Sequence, residues 1–202
     1  MKIIEDTGNK TGKHKLKHSY FDSQGIEVLS YGLPVGDYII VTDAVADVIE
    51  RKKKRGIQPK KMDFLGTYKV CVDTKFSIEE LVGDICGKQH ERFRDECILA
   101  QQNGIKLYIL VDSEDEWIGK KKDIYNPAIR SLGGLFSWKN KRAFIWKGGK
   151  QAYPTATKGA TLAKACITMQ KKYGVEFLFC DPKDSGRRII ELLGGVDIGN
   201  QD

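Results

Sequence analysis

No apolar run in the sequence approaches the ~20 residues that would carry a helix across a bilayer. A secretory leader is also missing, because Met1-Lys2-Ile3-Ile4-Glu5-Asp6 turns acidic straight after its isoleucines. Together these absences lead us to expect a cytoplasmic protein without a membrane partner. Cysteine is present, but its five copies are odd in number and none sits in a Cys-x-x-Cys pair. Most lie in apolar surroundings, as in Phe177-Leu178-Phe179-Cys180, and read as small buried hydrophobes in a reducing compartment rather than zinc ligands. Internal repeats and low-complexity segments are lacking too. Gly148-Gly149-Lys150 and Thr157-Lys158-Gly159 lack both P-loop order and a preceding strand, which excludes an NTPase and predicts no nucleotide cofactor.

What is present is positive charge in blocks. The 202 residues carry a net charge of +7. The excess sits at Lys10, Lys13, Lys15 and Lys17, at Arg51-Lys52-Lys53-Lys54-Arg55 with Lys60-Lys61, and at Lys120-Lys121-Lys122. Such patches fit a polyanion, since neutralising phosphates releases counterions. A solvated surface is the plainer alternative for the same residues.

The length suits one domain over 1–202. Strand-like runs occur at 2–5, 26–29, 38–42, 68–73, 105–111 and 175–180. Ser77-Ile78-Glu79-Glu80 is a capping box, and Ile78, Leu81, Val82 and Ile85 continue it at helical spacing. Further helices are expected over 89–103, from 157 or 158 to 172, and over 184–193. Strands first, then strands alternating with helices, predict an α/β fold: a mixed central β-sheet flanked by helices on both faces. Residues 44–67 and 113–155 read as insertions. The second holds Trp117, Trp138 and Trp146 among lysines and glycines. Trp138 and Trp146, each followed by lysine, could stack on unpaired bases, but partly buried strand positions are the plainer expectation.

Asp37, in Val35-Gly36-Asp37-Tyr38, stands just before a branched run, and Asp73 ends another. Carboxylates at strand ends can share a hard divalent cation through oxygen. Lys75 is one alternate position beyond Asp73 and so points to the same face. There an ammonium could hold water or stabilise phosphorane-like charge, which points to phosphodiester hydrolysis.

Taken in order, Leu33-Pro34-Val35-Gly36-Asp37-Tyr38, Val72-Asp73-Thr74-Lys75, Ser77-Ile78-Glu79-Glu80-Leu81 and Gln89-His90-Glu91-Arg92-Phe93 resemble the XPF-type nuclease domain of the PD-(D/E)XK superfamily. Ile3-Ile4-Glu5-Asp6-Thr7 resembles that family's first strand. The resemblance implies a restriction-endonuclease-like fold and a DNA endonuclease using Mg²⁺ or Mn²⁺. It implies Asp37, Asp73 and the Thr74 carbonyl as metal ligands, Lys75 as the group steering water, and Asp6 as an accessory acid. Glu79 would fill the final acidic slot, while Gln89 and Arg92 support the site or touch the phosphate backbone. Arg51, Lys52 and Lys53 would help position DNA.

The sequence departs from the family where Asp73 replaces a glutamate, Thr74 an arginine, and Gly8-Asn9 an Arg-Glu pair. Glu50-Arg51-Lys52 spells the family tripeptide literally, and lies nearer Asp37 in sequence than Asp73 does. Its lysine-rich sequel lacks a cap or an amphipathic helix, so Asp73 and Lys75 are preferred. A chain ending at Asp202 has no room for the family's helix-hairpin-helix domain. Branch recognition is then expected from 113–155, a homodimer or a partner. So compact a form suits a phage or mobile element, acting in its host's cytoplasm. The alternative is a catalytically inactive nuclease fold that binds DNA or a partner protein; RNA as substrate is a weaker one.

Overall fold

The computed structural model describes residues 1–8 and 14–194. Six strands form the main sheet: β1 (Lys2–Asp6), β2 (Glu27–Tyr31), β3 (Tyr38–Ile40), β4 (Val70–Lys75), β5 (Lys106–Asp112) and, last in the chain, β10 (Glu176–Cys180). Their order across the sheet is β10-β5-β4-β3-β1-β2. β4, β5 and β10 run parallel, as do β1 and β2, whereas β3 is antiparallel to both β1 and β4. The sheet is mixed because the chain reverses in the short loop 32–37 before β3 and again across the longer α2 connection to β4, while helical crossovers separate the parallel strands.

Both faces of the sheet are covered, and the strand sequences show why. Ile3 and Ile4 are both fully buried, as are Cys71 and Val72, so adjacent residues fill opposite cores. On one face Ile4, Cys71 and Ile109 pack against α3 (Ile78–Cys86), α4 (His90–Gln102) and α5 (Gly159–Tyr173). On the other, Ile3, Val72 and Leu110 pack against α1 (Lys15–Ser23) and α6 (Ser185–Leu192). α6 runs close under α1, and a Cβ at Gly186 would fall 2.7 Å from Tyr20 Cβ.

Two expectations are corrected. Residues 44–67 do lie between two sheet strands, β3 and β4, but their basic block is helical: α2 (Asp43–Lys54) covers 44–54, followed by a 3-10 turn at Lys61–Phe64. α2 is capped by Thr42, whose hydroxyl accepts from Val45 N–H, and it buries Val45 and Val48. Glu50-Arg51-Lys52 therefore lies inside an amphipathic helix, and its lysine-rich sequel is that helix's last turn. Cations there face the negative end of the helix dipole. Of the first basic group, Lys10 and Lys13 lie outside the described residues, and Lys15 and Lys17 belong to α1. Lys17 is buried, with Nζ 3.2 Å from Asp112 Oδ2, and so is no surface cation.

The segment 113–155 holds two short hairpins, β6 (Glu116–Ile118) with β7 (Ile124–Asn126), and β8 (Trp146–Lys147) with β9 (Lys150–Gln151). Its tryptophans divide. Trp138 is buried, but Trp146 is 64% exposed, contrary to the expected partial burial, and Trp117 is 57% exposed.

Candidate active site

Gly36 sets the geometry around Asp37. Its φ of +76° is a left-handed conformation, and a Cβ there would lie 2.8 Å from Cys71 Cβ, so glycine alone fits. The following Asp37 is fastened to β4 on both sides of Asp73. Its N–H donates to the Val72 carbonyl at 2.9 Å, and its Oδ2 accepts from the Thr74 N–H at 2.9 Å and the Thr74 hydroxyl at 2.7 Å.

β4 carries Asp73, Thr74 and Lys75 into the interior, all buried. Lys75 follows Asp73 at the strand's period of two, and its Nζ lies 2.7 Å from Asp73 Oδ2. The same Nζ lies 2.9 Å from Asp84 Oδ2 and 5.3 Å from the centre of the Phe93 ring. Asp37, Asp73 and Lys75 thus converge, with the Asp73–Thr74 peptide between the two carboxylates.

Two acids at this site were not singled out in the sequence. Asp84 is buried on α3, three residues past Leu81, on the stripe that meets the sheet. Glu96 occupies the matching place on α4, three past Phe93, and its Oε1 accepts from Gly36 N–H at 2.8 Å. The available signal was a carboxylate on an otherwise apolar helical stripe, since a charge is not buried there without a partner.

The remaining expected residues spread outward. Asp6 donates its N–H to the Asp37 carbonyl at 2.7 Å. Its own carboxylate accepts from the backbone of Gly8 and Leu33, so it braces the loop behind Asp37. Glu79 turns toward the 113–155 segment, with Oε1 3.1 Å from Lys141 Nζ, while Lys75 takes Asp84 as its second partner. Arg92 reaches from α4, exposed, to within 3.9 Å of Asp84 Oδ1. Gln89 is exposed at the start of α4. Arg51 and Lys53 are exposed on α2, and Lys52 pairs with Asp63 at 2.7 Å.

The site is short of positive charge. Asp37, Asp73, Asp84 and Glu96 face one buried ammonium and one exposed guanidinium, a formal excess of two negative charges. Burial pushes Asp73 up to about 7, against the pull of Lys75 and with help from Asp37. Burial likewise raises Asp37, and it raises Glu96, which also feels Asp73. Burial pulls Lys75 down, but Asp73, Asp84 and Asp37 outweigh it and hold the amine well above its ordinary range. Desolvated carboxylates in this balance gain from any cation that enters.

The donors present fit a hard divalent ion. Asp37, just before β3, and Asp73, in the adjacent β4, offer carboxylate oxygens. Among the described residues no group of three or more His, Cys, Asp or Glu forms a cage by itself. An ion here would then keep water or backbone oxygen in its shell, as Mg²⁺ does when held by one or two carboxylates.

The ERCC4 domain model matches residues 6–192. No curated protein matches the sequence. Among solved structures, the chain is similar to XPF from Aeropyrum pernix in complex with DNA, at 14% identity and a TM-score of 0.50, over 96% of this chain and 63% of that one. A second structure, XPF from Aeropyrum pernix, gives 14% identity and a TM-score of 0.49 over 100% of this chain and 63% of the other. This chain therefore spans less than two thirds of that protein's length. At such identity the likeness to the DNA complex shows a shared fold.

Proposed function

The chain belongs to the ERCC4 domain family, and on that premise we propose that it is a metal-dependent endonuclease that hydrolyses phosphodiester bonds in branched or flapped DNA during repair or recombination. The observation that carries this reading is the convergence of Asp37, Asp73 and Lys75 at the end of β4. DNA as the substrate draws support from the DNA-bound structure of the similar Aeropyrum protein and from the basic surface.

Asp37, Asp73 and the Thr74 carbonyl would hold Mg²⁺ or Mn²⁺. When bound, such an ion neutralises charge on the non-bridging phosphate oxygens and acidifies water. Lys75 holds the nucleophile: of the three N–H donors on its ammonium, Asp73 and Asp84 face two, leaving one for a water. Asp84 and the Phe93 ring fix where that donor points, so Asp84 is a positioning residue. Arg92, Gln89 and the cations of α2 (Arg51, Lys52, Lys53) would grip the phosphate backbone, positioning DNA without reading its sequence.

One observation favours a second reading, a nuclease fold that binds DNA without cutting it. Thr74 stands where the family has an arginine, and its N–H and hydroxyl are both spent on Asp37, so no cation is supplied from that position. A cleavage gel separates the two readings. Wild type with Mg²⁺ or Mn²⁺ is expected to cut flap, fork or four-way DNA, and EDTA or Asp73→Asn to abolish cutting. Failure of wild type to cut any of these, or equal cutting by Asp73→Asn, would end the nuclease reading. RNA versions of the same substrates serve as the comparison.

A further inference from the structure

The two hairpins of the 113–155 segment face one another across a cleft of about 700 Å³. One wall presents Trp117 and Ile118, the other Phe144, Ile145 and Trp146. From this arrangement we infer that the cleft binds a single-stranded DNA arm, with unpaired bases stacked on Trp117 and Trp146. The inference rests on the DNA reading above and gives that site its branch specificity.

Both tryptophans are large, exposed and held in place. Trp117 on β6 lies directly across from Tyr125 on β7, with ring centroids 5.2 Å apart. The Tyr125 hydroxyl donates to Asp115 Oδ1 at 2.8 Å, which stiffens that platform. Trp146 opposes Gln151, whose amide donates to the Ala143 carbonyl at 2.6 Å. Gly148 and Gly149, both at positive φ, make the tight turn between β8 and β9. Rigid aromatic faces open to solvent are what base stacking needs, because every base presents a π-face regardless of sequence.

The surrounding charge suits a polyanion. Lys147 and Lys150 are paired directly across the second hairpin, although like charges so placed are destabilising. Lys120 and Lys122 line the cleft, and none of these four lysines forms an ion pair among the described residues. A phosphate backbone would relieve that repulsion.

The cleft is also joined to the candidate active site. Lys141, on its wall, pairs with Glu116 of β6 and with Glu79 at the start of α3, the helix that follows Lys75. A strand lying on the tryptophans can therefore lead toward the end of β4. Double-stranded DNA cannot use these platforms, since its bases are already stacked on each other.

The test measures binding in EDTA, where cleavage plays no part. Fluorescence-labelled oligo-dT and a duplex of equal length are titrated with wild type, Trp117→Ala, Trp146→Ala and the double variant, after circular dichroism confirms their folding. Each single variant is expected to weaken oligo-dT binding about 5- to 150-fold while leaving duplex affinity unchanged. Lys147→Ala should lower the salt slope for oligo-dT by about 0.7. Unchanged oligo-dT affinity in the double variant, an equal loss on duplex, or no oligo-dT binding by wild type would overturn the inference. Selective loss in these variants, alongside a wild type that cuts nothing, would support the inference while defeating the nuclease reading. Cleavage by wild type with unaltered binding in the double variant would do the reverse.

Discussion

Lys75 holds the site together at the scale of single residues. Its ammonium lies within 3 Å of both Asp73 and Asp84, with side chains 6% to 7% exposed, so water screens none of the three charges appreciably. Removing one partner of a buried pair leaves the others uncompensated. Lys75→Ala should therefore destabilise the protein by about 3–5 kcal/mol, read as a lowered urea midpoint, besides abolishing cleavage. A urea midpoint unchanged by Lys75→Ala would mean that the amine contributes no net charge compensation. Asp37 and Asp73 could be found from sequence because one precedes and the other ends a branched run, where strand ends deliver side chains to one edge. Asp84 and Glu96 could not be assigned in the same way. Their helical stripes are legible, but that both stripes converge beneath β4 depends on the tertiary packing of α3 and α4.

At the scale of elements, α3 connects local sequence to the site. Ser77 caps it by accepting from Glu80 N–H at 3.3 Å, and Glu80 in turn accepts from Phe76 N–H at 2.9 Å, one residue earlier than in a standard capping box. Ser77→Ala should cost about 1 kcal/mol in thermal or urea unfolding. Asp84→Asn on the same helix should instead lower the cleavage rate while the fold persists, because Lys75 loses one anchor. The outcome that contradicts this division is a rate loss in Ser77→Ala as large as that in Asp84→Asn. α3 was readable from its cap, and α4, α5 and α6 from their apolar spacing, since none of these three has a side-chain N-cap. α1 was not: His14 makes no side-chain cap, and the buried face of the helix consists of Phe21 and the charged Lys17. α2 had its cap at Thr42, but the lysine run of its last turn masked the Val45 and Val48 spacing. The sheet order was inferable in kind, mixed with parallel later strands, since crossover helices dictate it. The antiparallel place of β3 depends on the tight Gly36 turn.

At the scale of the whole molecule, charge is distributed unevenly in a way that composition alone does not reveal. A chain with net charge +7 concentrates acid at the end of β4 and leaves its lysines on the hairpins and on α2. Such a layout would suit the proposed function, drawing in a polyanion while keeping a negatively charged pocket for a cation. The central claim is that Asp37 and Asp73 together grip this cation. The most direct measurement is a crystal of the protein grown with Mn²⁺, with the ion located by its anomalous scattering. The account predicts one peak about 2.1 Å from oxygens of both Asp37 and Asp73, lost in the Asp73→Asn crystal. A peak that touches neither carboxylate, or none at saturating Mn²⁺, would contradict it.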